Sequence, residues 1–360
     1  MKILVLSSQA SNTGSALRAG YIAKYLKKAG AQVTYVRPPF VSLPFMLDFL
    51  LSLIYYFFTL TNSRYDIVFI VKPYPNTVWP ALLLKKQGAK LVIDIDDLDH
   101  GYRVGFLSKV IEKIQKTLTE KADLLTSHND ALIKILESAH PKFAAKIYKL
   151  EQGVDFEVFK AEQIDNKKIG LIRQQFVGKK LLFYTAHLNI ASYLDDIFEA
   201  LKKIADKNVL LLVAGGGPLE KYYKKSARAK GLKDRVIFLG QLSRPEIATY
   251  IKTSDLCLVY YRDVLVNKYR ASMKLREYLA MGKRVVAPAV GEINYFKKVV
   301  LLSGKNITVF AAVIKKNIYL VDKFNIKGQQ LILNQYDWKK EAKEFYVFLK
   351  HKFMISPKGN

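Results

Sequence analysis

Lys274 and Glu277 stand near the start of an apolar-periodic segment, YRASMKLREYLAMGKRVV, at residues 269–286. The segment stops at Gly282 and runs into a β-branched stretch. This pattern predicts a loop, a helix, a glycine stop and a buried strand. The first N–H groups of a helix lack partners and the macrodipole is positive there, so anions are attracted. Arg270 and Lys274 add positive charge at that end, and Ser272 is a residue type that caps helices. One turn on, Glu277 can accept hydrogen bonds from sugar hydroxyls. The chemistry suits a phosphate joined to a sugar. Taken alone, Glu277 also fits an exposed helix acid pairing with Lys274.

Two further clusters carry chemical types. Gly215, Gly216 and Gly217 in LLLVAGGGP follow an apolar run. They permit a tight turn and close approach of a ligand. No Lys-Ser/Thr follows, so this is not a Walker loop. Gly14, in the small-residue turn SSQASNTGS, has a similar character. DIDDLDH, residues 94–100, continues a strand and so sits at its carboxyl end. Packed acids raise one another's pKa values, which suits proton handling. Loop capping by Asp side chains is the alternative.

These residues need elements to hold them. Buried strands are read at 3–6, 32–36, 66–71, 90–95 and 124–127, and again at 181–185, 209–214, 236–238, 255–260 and 284–287. Helices separate most of them. Such alternation implies parallel sheets with ligands at the strands' carboxyl ends. The opening MKILVLSSQ reads as a first buried strand rather than a leader. A polar stretch, KAEQIDNKKIG, marks a domain boundary, with domains at 1–160 and 161–335 and a closing helix at 336–352.

Length and composition set the outer bounds. The 360 residues suffice for two α/β domains, and a hydrophobic share of 50% excludes a disordered chain. Cys257 is the single cysteine, so no disulfide framework or cysteine-rich zinc site exists within the chain; it reads as a small core hydrophobe. A net charge of +27 favours polyanionic partners or an anionic membrane surface, unless it reflects ordinary solvated faces. The lysines are dispersed without an aromatic-basic module, which argues against nucleic acid. Residues 43–60, LPFMLDFLLSLIYYFFTL, read as a buried helix of the first domain, with insertion into one leaflet or a true membrane span as the alternatives. In FLSKVIEKIQKTL, Phe106, Val110, Ile114 and Leu118 line one face and Lys109, Lys113 and Lys116 another.

Several pieces in order carry a family resemblance. LEQGVDFEVF, LLLVAGGGP, RVIFLGQLSRPEIATYIKTSDLCLVYY and KLREYLAMGKRVVA together resemble glycosyltransferase family 4, the retaining enzymes of GT-B fold. The resemblance implies an α/β chain of two Rossmann-like domains facing a central cleft, with the C-terminal helix returning to the N-terminal domain. It implies a nucleotide diphosphate sugar donor on the second domain and an acceptor on the first. No metal or cofactor is implied, because helix dipoles and basic side chains offset the leaving diphosphate. The implied donor residues are Gly14, Gly216, Gly217, Arg270, Ser272, Lys274, Leu275 and Glu277. The implied residues near the reacting centre are Asp96, Asp97 and His100. Tyr269 stands where the family often has another glutamate, and His187 and Ser192 stand where it tends to carry an Arg and a Lys.

The implied activity is hexose transfer to a glycan or lipid-linked acceptor, in cell-surface polysaccharide or glycoconjugate synthesis. The implied location is cytoplasmic, peripheral at the inner face of the membrane. The alternatives are a sugar-nucleotide epimerase of the same fold, or a non-catalytic subunit that binds membrane or polyanions.

Overall fold

The computed structural model describes residues 1–9, 13–38, 45–60, 64–97, 106–139, 141–320 and 324–354. Two compact units emerge: Met1–Gly153 with Tyr269–Ala271 and the segment from Trp338 onward, and Val154–Lys268 with Ser272–Asp337.

The first unit runs β1 (Lys2–Ser7), α1 (Gly14–Lys28), β2 (Gln32–Val36), α2 (Phe45–Leu60), β3 (Ile67–Val71) and α3 (Pro75–Lys86). It continues with β4 (Lys90–Asp94), α4 (Phe106–Lys121), β5 (Leu124–Ser127), α5 (Asp130–Ala139) and β6 (Ile147–Lys149). The strands form one sheet, ordered β2-β1-β3-β4-β5-β6, with parallel pairing throughout.

The second unit holds α6 (Asn166–Gln174), β7 (Lys180–Thr185), α7 (Leu194–Ile204), β8 (Val209–Ala214), α8 (Glu220–Ala229), β9 (Val236–Gly240) and α9 (Arg244–Thr253). Then follow β10 (Leu256–Leu258), α10 (Met273–Ala280), β11 (Val285–Pro288), β12 (Leu301–Ser303), α11 (Ile307–Asn317) and α12 (Ile326–Gln335). Its parallel sheet is ordered β12-β11-β10-β7-β8-β9. Strand order reverses between β1 and β3 in one sheet and between β7 and β10 in the other. Ligand crevices of such sheets open at those carboxyl ends.

Helices on both faces explain why IVFIV of β3 and VLLLVA of β8 are buried along their whole length. The two strands not foreseen, β6 and β12, are three-residue edge strands of partial burial. β6 offers no continuous apolar run to read, and β12 keeps only the last two residues of the run VVLL at 299–302. The division between units falls at Gly153, earlier than residue 160. Val154 and Phe159 are buried in the second unit's core, and the Val154 N–H donates to the Tyr336 carbonyl at 2.7 Å.

The residues 43–60 reading changes in one respect. Tyr56 and Leu60 are buried, but Leu47, Leu50, Ile54, Phe57 and Phe58 of α2 are exposed, so the helix is only half-buried. Among the described residues, no helix is long and apolar enough to cross a membrane.

The closing helix α13 (Trp338–Met354) returns to the first unit. Trp338 is fully buried and stacks on Tyr21 of α1, ring centroids 6.1 Å apart. The Arg18 guanidinium lies 5.6 Å from the Trp338 ring and grips Asp94 through two bonds of 2.7 and 2.9 Å. Arg18 also donates to the Leu150 carbonyl at 2.9 Å, and Thr126 donates to Asp94 at 2.6 Å. This buried pair ties α1, β4, β5 and the chain after β6 together. Arg18→Met should destabilise the first unit by about 3–5 kcal/mol, because it strands the Asp94 charge. Chemical denaturation followed by hydrogen exchange on β4 and β5 checks this; unchanged protection there would refute it.

Candidate functional site

The start of α10 is fixed by a closed polar arrangement. Ser272 caps the helix, its hydroxyl accepting from the Leu275 N–H at 3.3 Å. The Ser272 N–H donates to the Glu292 carboxylate. Glu292 also receives both guanidinium arms of Arg276 at 2.9 Å each, and both side chains are buried. The Arg276 guanidinium lies 4.7 Å from the Tyr336 ring. Leu275 itself packs in the core, so its polar contribution is that backbone N–H. Arg276 and Glu292 escaped the sequence reading, because nothing local announces a pair sixteen positions apart.

From that start, α10 leans on the carboxyl end of β7. The Tyr278 hydroxyl accepts from the Thr185 N–H at 3.0 Å. The Lys274 ammonium sits 4.1 Å from the Tyr184 ring centre, a cation–π contact that holds it at the β7–β10 crevice. Glu277 is not the exposed partner of Lys274 that simple helix spacing allows. Its side chain is 3% exposed, and its Oε1 accepts from the Arg244 guanidinium at the head of α9. Burial pushes the Glu277 carboxyl up; Arg244 and Lys274 oppose that push, and Asp155 adds to it.

The glycine turn and the loop after β7 are laced together. Leu188 N–H donates to the Gly216 carbonyl at 2.9 Å, and Leu219 N–H to the Leu188 carbonyl at 2.9 Å. Gly215 (φ +128) and Gly217 (φ +157) have left-handed backbones, and a Cβ would lie 1.9 Å from the Ala186 oxygen or 2.6 Å from the Leu188 oxygen. Both positions are thus required by chain packing. Gly216 has room for a Cβ. His187 sits beside this turn; burial lowers its pKa, with a hydrogen bond to the Gly216 backbone opposing. Ser192 is buried and engaged with Asn189 at 2.7 Å and Tyr223 at 3.0 Å, which makes it a loop fastener.

The first unit gathers polar groups at its own switch point. The aspartates of DIDD separate: Asp94 is consumed by Arg18, whereas Asp96 accepts from the Ser15 hydroxyl at 2.6 Å. The Lys72 ammonium lies 3.9 Å from Asp96 and 3.7 Å from Asp97. Lys72 is buried with φ +64, a strained conformation of the kind that concentrates at functional sites. The His128 ring meets the Asp96 carbonyl, and Asn76 donates to the Ser8 carbonyl at 3.0 Å.

The expectation of a raised carboxyl is overturned for Asp96. Burial pushes it up, but Lys72, the Ser15 hydroxyl, His128 and Arg18 hold it below the ordinary range. Cations, not other acids, face it. His100 lies outside the described residues. Gly14 opens α1 behind its Thr13 cap, with open space where a Cβ would point. Arg270, in the Tyr269–Ala271 segment, groups with the first unit rather than with Lys274. The Tyr269 carbonyl there accepts from Asn129 at 2.7 Å. Lys72 is a lone polar residue after the apolar β3, and His128 sits inside the polar run TSHND, so neither stands out in the sequence.

Two parallel six-stranded sheets with polar carboxyl ends make two Rossmann-like units, the type of unit found in the GT-B fold. The family model for glycosyl transferases group 1 matches residues 168–318, within the second unit. The D-inositol 3-phosphate glycosyltransferase of Mycobacterium ulcerans is 27% identical over 212 residues, covering 56% of this chain and 43% of that protein. The putative teichuronic acid biosynthesis glycosyltransferase TuaH of Bacillus subtilis is 25% identical over 194 residues, covering 54% and 47%. The chain thus spans about half the length of the curated relatives it matches. Among solved structures, sucrose-phosphate synthase from Thermosynechococcus elongatus superposes with TM-score 0.79 at 14% identity, covering 99% of this chain and 100% of that one. Anabaena Alr3699/HepE in complex with UDP-glucose gives TM-score 0.76 at 16% identity, covering 98% and 100%. These likenesses establish the fold.

Just past α10, the Lys283 ammonium is buried and donates to the Ser254 carbonyl at 2.6 Å; burial pushes its pKa down to about 8. In the unfolded chain the same group keeps its proton to about pH 10. The unfolded state therefore binds more protons between these values, and this lysine's contribution to stability rises with pH across that window. The stability of wild type relative to Lys283→Met should increase by about 3 kcal/mol from pH 7 to pH 10. Denaturant melts of both proteins at the two pH values check it; a constant difference would show that burial does not lower the Lys283 pKa. Cys257, also buried, has its thiol pushed up to about 12, which marks it as a packing residue.

Proposed function

We propose that this chain is a metal-independent, retaining glycosyltransferase. It moves a hexose from a nucleotide diphosphate sugar to a glycan or lipid-linked acceptor, in cell-surface polysaccharide or glycoconjugate synthesis. The observation that carries the donor half is the convergence of the α10 N-terminus, Lys274 and buried Glu277 at the β7–β10 switch point. Lys274 and the helix N-terminus stabilise the charge that grows on the leaving diphosphate. Glu277 accepts from hydroxyls of the donor's ribose or hexose. Gly216 lets the glycine turn approach the donor, and Asp96, held as an anion, is available as an acceptor of hydrogen bonds near the reacting centre. The nucleotide sugar in the HepE complex supports this class of donor.

A thermal-shift panel of UDP-glucose, UDP-N-acetylglucosamine and GDP-mannose tests the reading. At least one donor should raise the melting temperature, and Lys274→Met and Glu277→Gln should each weaken it about tenfold or more, roughly 1.4 kcal/mol. A stabilising donor unaffected by both changes would overturn the site. Release of free nucleotide should depend on added acceptor; acceptor-independent turnover points to an epimerase, and none at all to a non-catalytic subunit.

The membrane half of the reading rests on α2. Leu47, Leu50, Ile54 and Phe58 expose apolar side chains on one helix, and Phe57 meets Trp79 of α3 at 5.4 Å between ring centroids. Lys109, Lys113 and Lys116 are exposed on α4. An apolar stripe on one helix and exposed lysines on another of the same unit suit shallow insertion into an anionic leaflet at the cytoplasmic face. Vesicles containing phosphatidylglycerol should co-sediment the protein, and Leu50→Ser with Ile54→Ser and Phe58→Ser should cut binding several-fold. Equal binding by the triple variant would refute α2 as the contact.

A further inference from the structure

Two guanidinium–carboxylate pairs involve α10, and they are built differently. Arg276 and Glu292 are both buried, and both oxygens of Glu292 are consumed. The Arg244–Glu277 pair is open by comparison. Arg244 meets Glu277 at Oε1, its side chain is 22% exposed, and among the described residues Oε2 receives no hydrogen bond. Arg244 is also the first residue of α9, directly after the Ser243 cap. A cation there opposes the helix dipole, so helix stability does not account for it. Its guanidinium lies 4.7 Å from the Phe159 ring centre, which holds the plane in place.

We propose that Arg244 is a positioning residue for the donor: it fixes one oxygen of Glu277 and leaves the other to a donor hydroxyl. This rests on the donor-site reading above. The charges facing Glu277 come from three elements: Arg244 on α9, Lys274 on its own helix, and Asp155 on the segment before Phe159. Burial and Asp155 favour the protonated acid, while Arg244 and Lys274 favour the anion. Losing Arg244 removes the largest opposing influence, so the carboxyl titrates higher. A protonated Glu277 has lost an acceptor, so donor affinity in the variant falls as pH falls through that raised value. Sugar nucleotides are diphosphate diesters and carry no proton near neutral pH, so the ligand adds no slope of its own.

The test is calorimetric titration of the tightest binder among UDP-glucose, UDP-N-acetylglucosamine and GDP-mannose, from pH 5.5 to 8.5. The proteins are wild type, Arg244→Met, Arg244→Lys and Glu277→Gln. Wild type should bind with a nearly flat pH profile. Arg244→Met should bind about tenfold more weakly at the acid end and recover toward the alkaline end, and Arg244→Lys should restore much of the flatness. If Arg244→Met fails to fold, Arg244→Gln is read by the same criterion. Glu277→Gln weakened with Arg244→Met following wild type at every pH would overturn the Arg244 role alone. So would a loss in Arg244→Met that is the same at every pH. Glu277→Gln binding as wild type, or wild type binding none of the three, would overturn the donor site and this role with it.

Discussion

A buried ion pair, Arg276 with Glu292, decides where α10 begins. Its two bonds of 2.9 Å occupy both carboxylate oxygens, and Glu292 additionally takes the Ser272 N–H. Removing such charges from water is costly, and paired hydrogen bonds offset it. Three bonds converge on one carboxylate. They tie the cap residue, the first turn and the loop after β11 together. Lys274 and Glu277 inherit their positions from that arrangement, because they lie on the first two turns of the same helix.

The two units solve one problem twice. Parallel strands buried on both faces have no polar side along their length, so polar groups concentrate at the carboxyl ends. In the second unit the concentration gives Lys274 on Tyr184 and Glu277 on Arg244. In the first it gives Asp96 among Ser15, Lys72 and His128. The electrostatic outcomes differ in sign. Glu277 is pushed up by burial despite its cation, whereas Asp96 is pulled down because cations surround it. One buried acid is shifted up and the other down.

Residue type placed a few local features without disclosing their neighbours. Ser272 caps α10, and Gly215 and Gly217 occupy left-handed backbone conformations. These features are local, set by side-chain type and by a few dihedral angles, so a linear reading reaches them. Ser192 illustrates the opposite case. It stands where a phosphate-binding cation was expected, but its hydroxyl is spent on Asn189 and Tyr223. The α2 stripe is another: apolar residues all round suggested burial, and only packing reveals which face is left uncovered.

The sequence by itself determined the alternation of strands and helices, the parallel sheets that follow, the glycine stop at Gly282 and the positive helix start at Lys274. Each depends on period, size and charge over a few residues. The tertiary structure alone decided which charges meet. Arg18 finds Asp94 across 76 positions, Ser15 finds Asp96 across 81, and Arg244 finds Glu277 across 33. Those separations are bridged by the order of strands in each sheet, which brings distant carboxyl ends side by side. No local pattern encodes that adjacency, yet it decides which cations face Glu277 and Asp96.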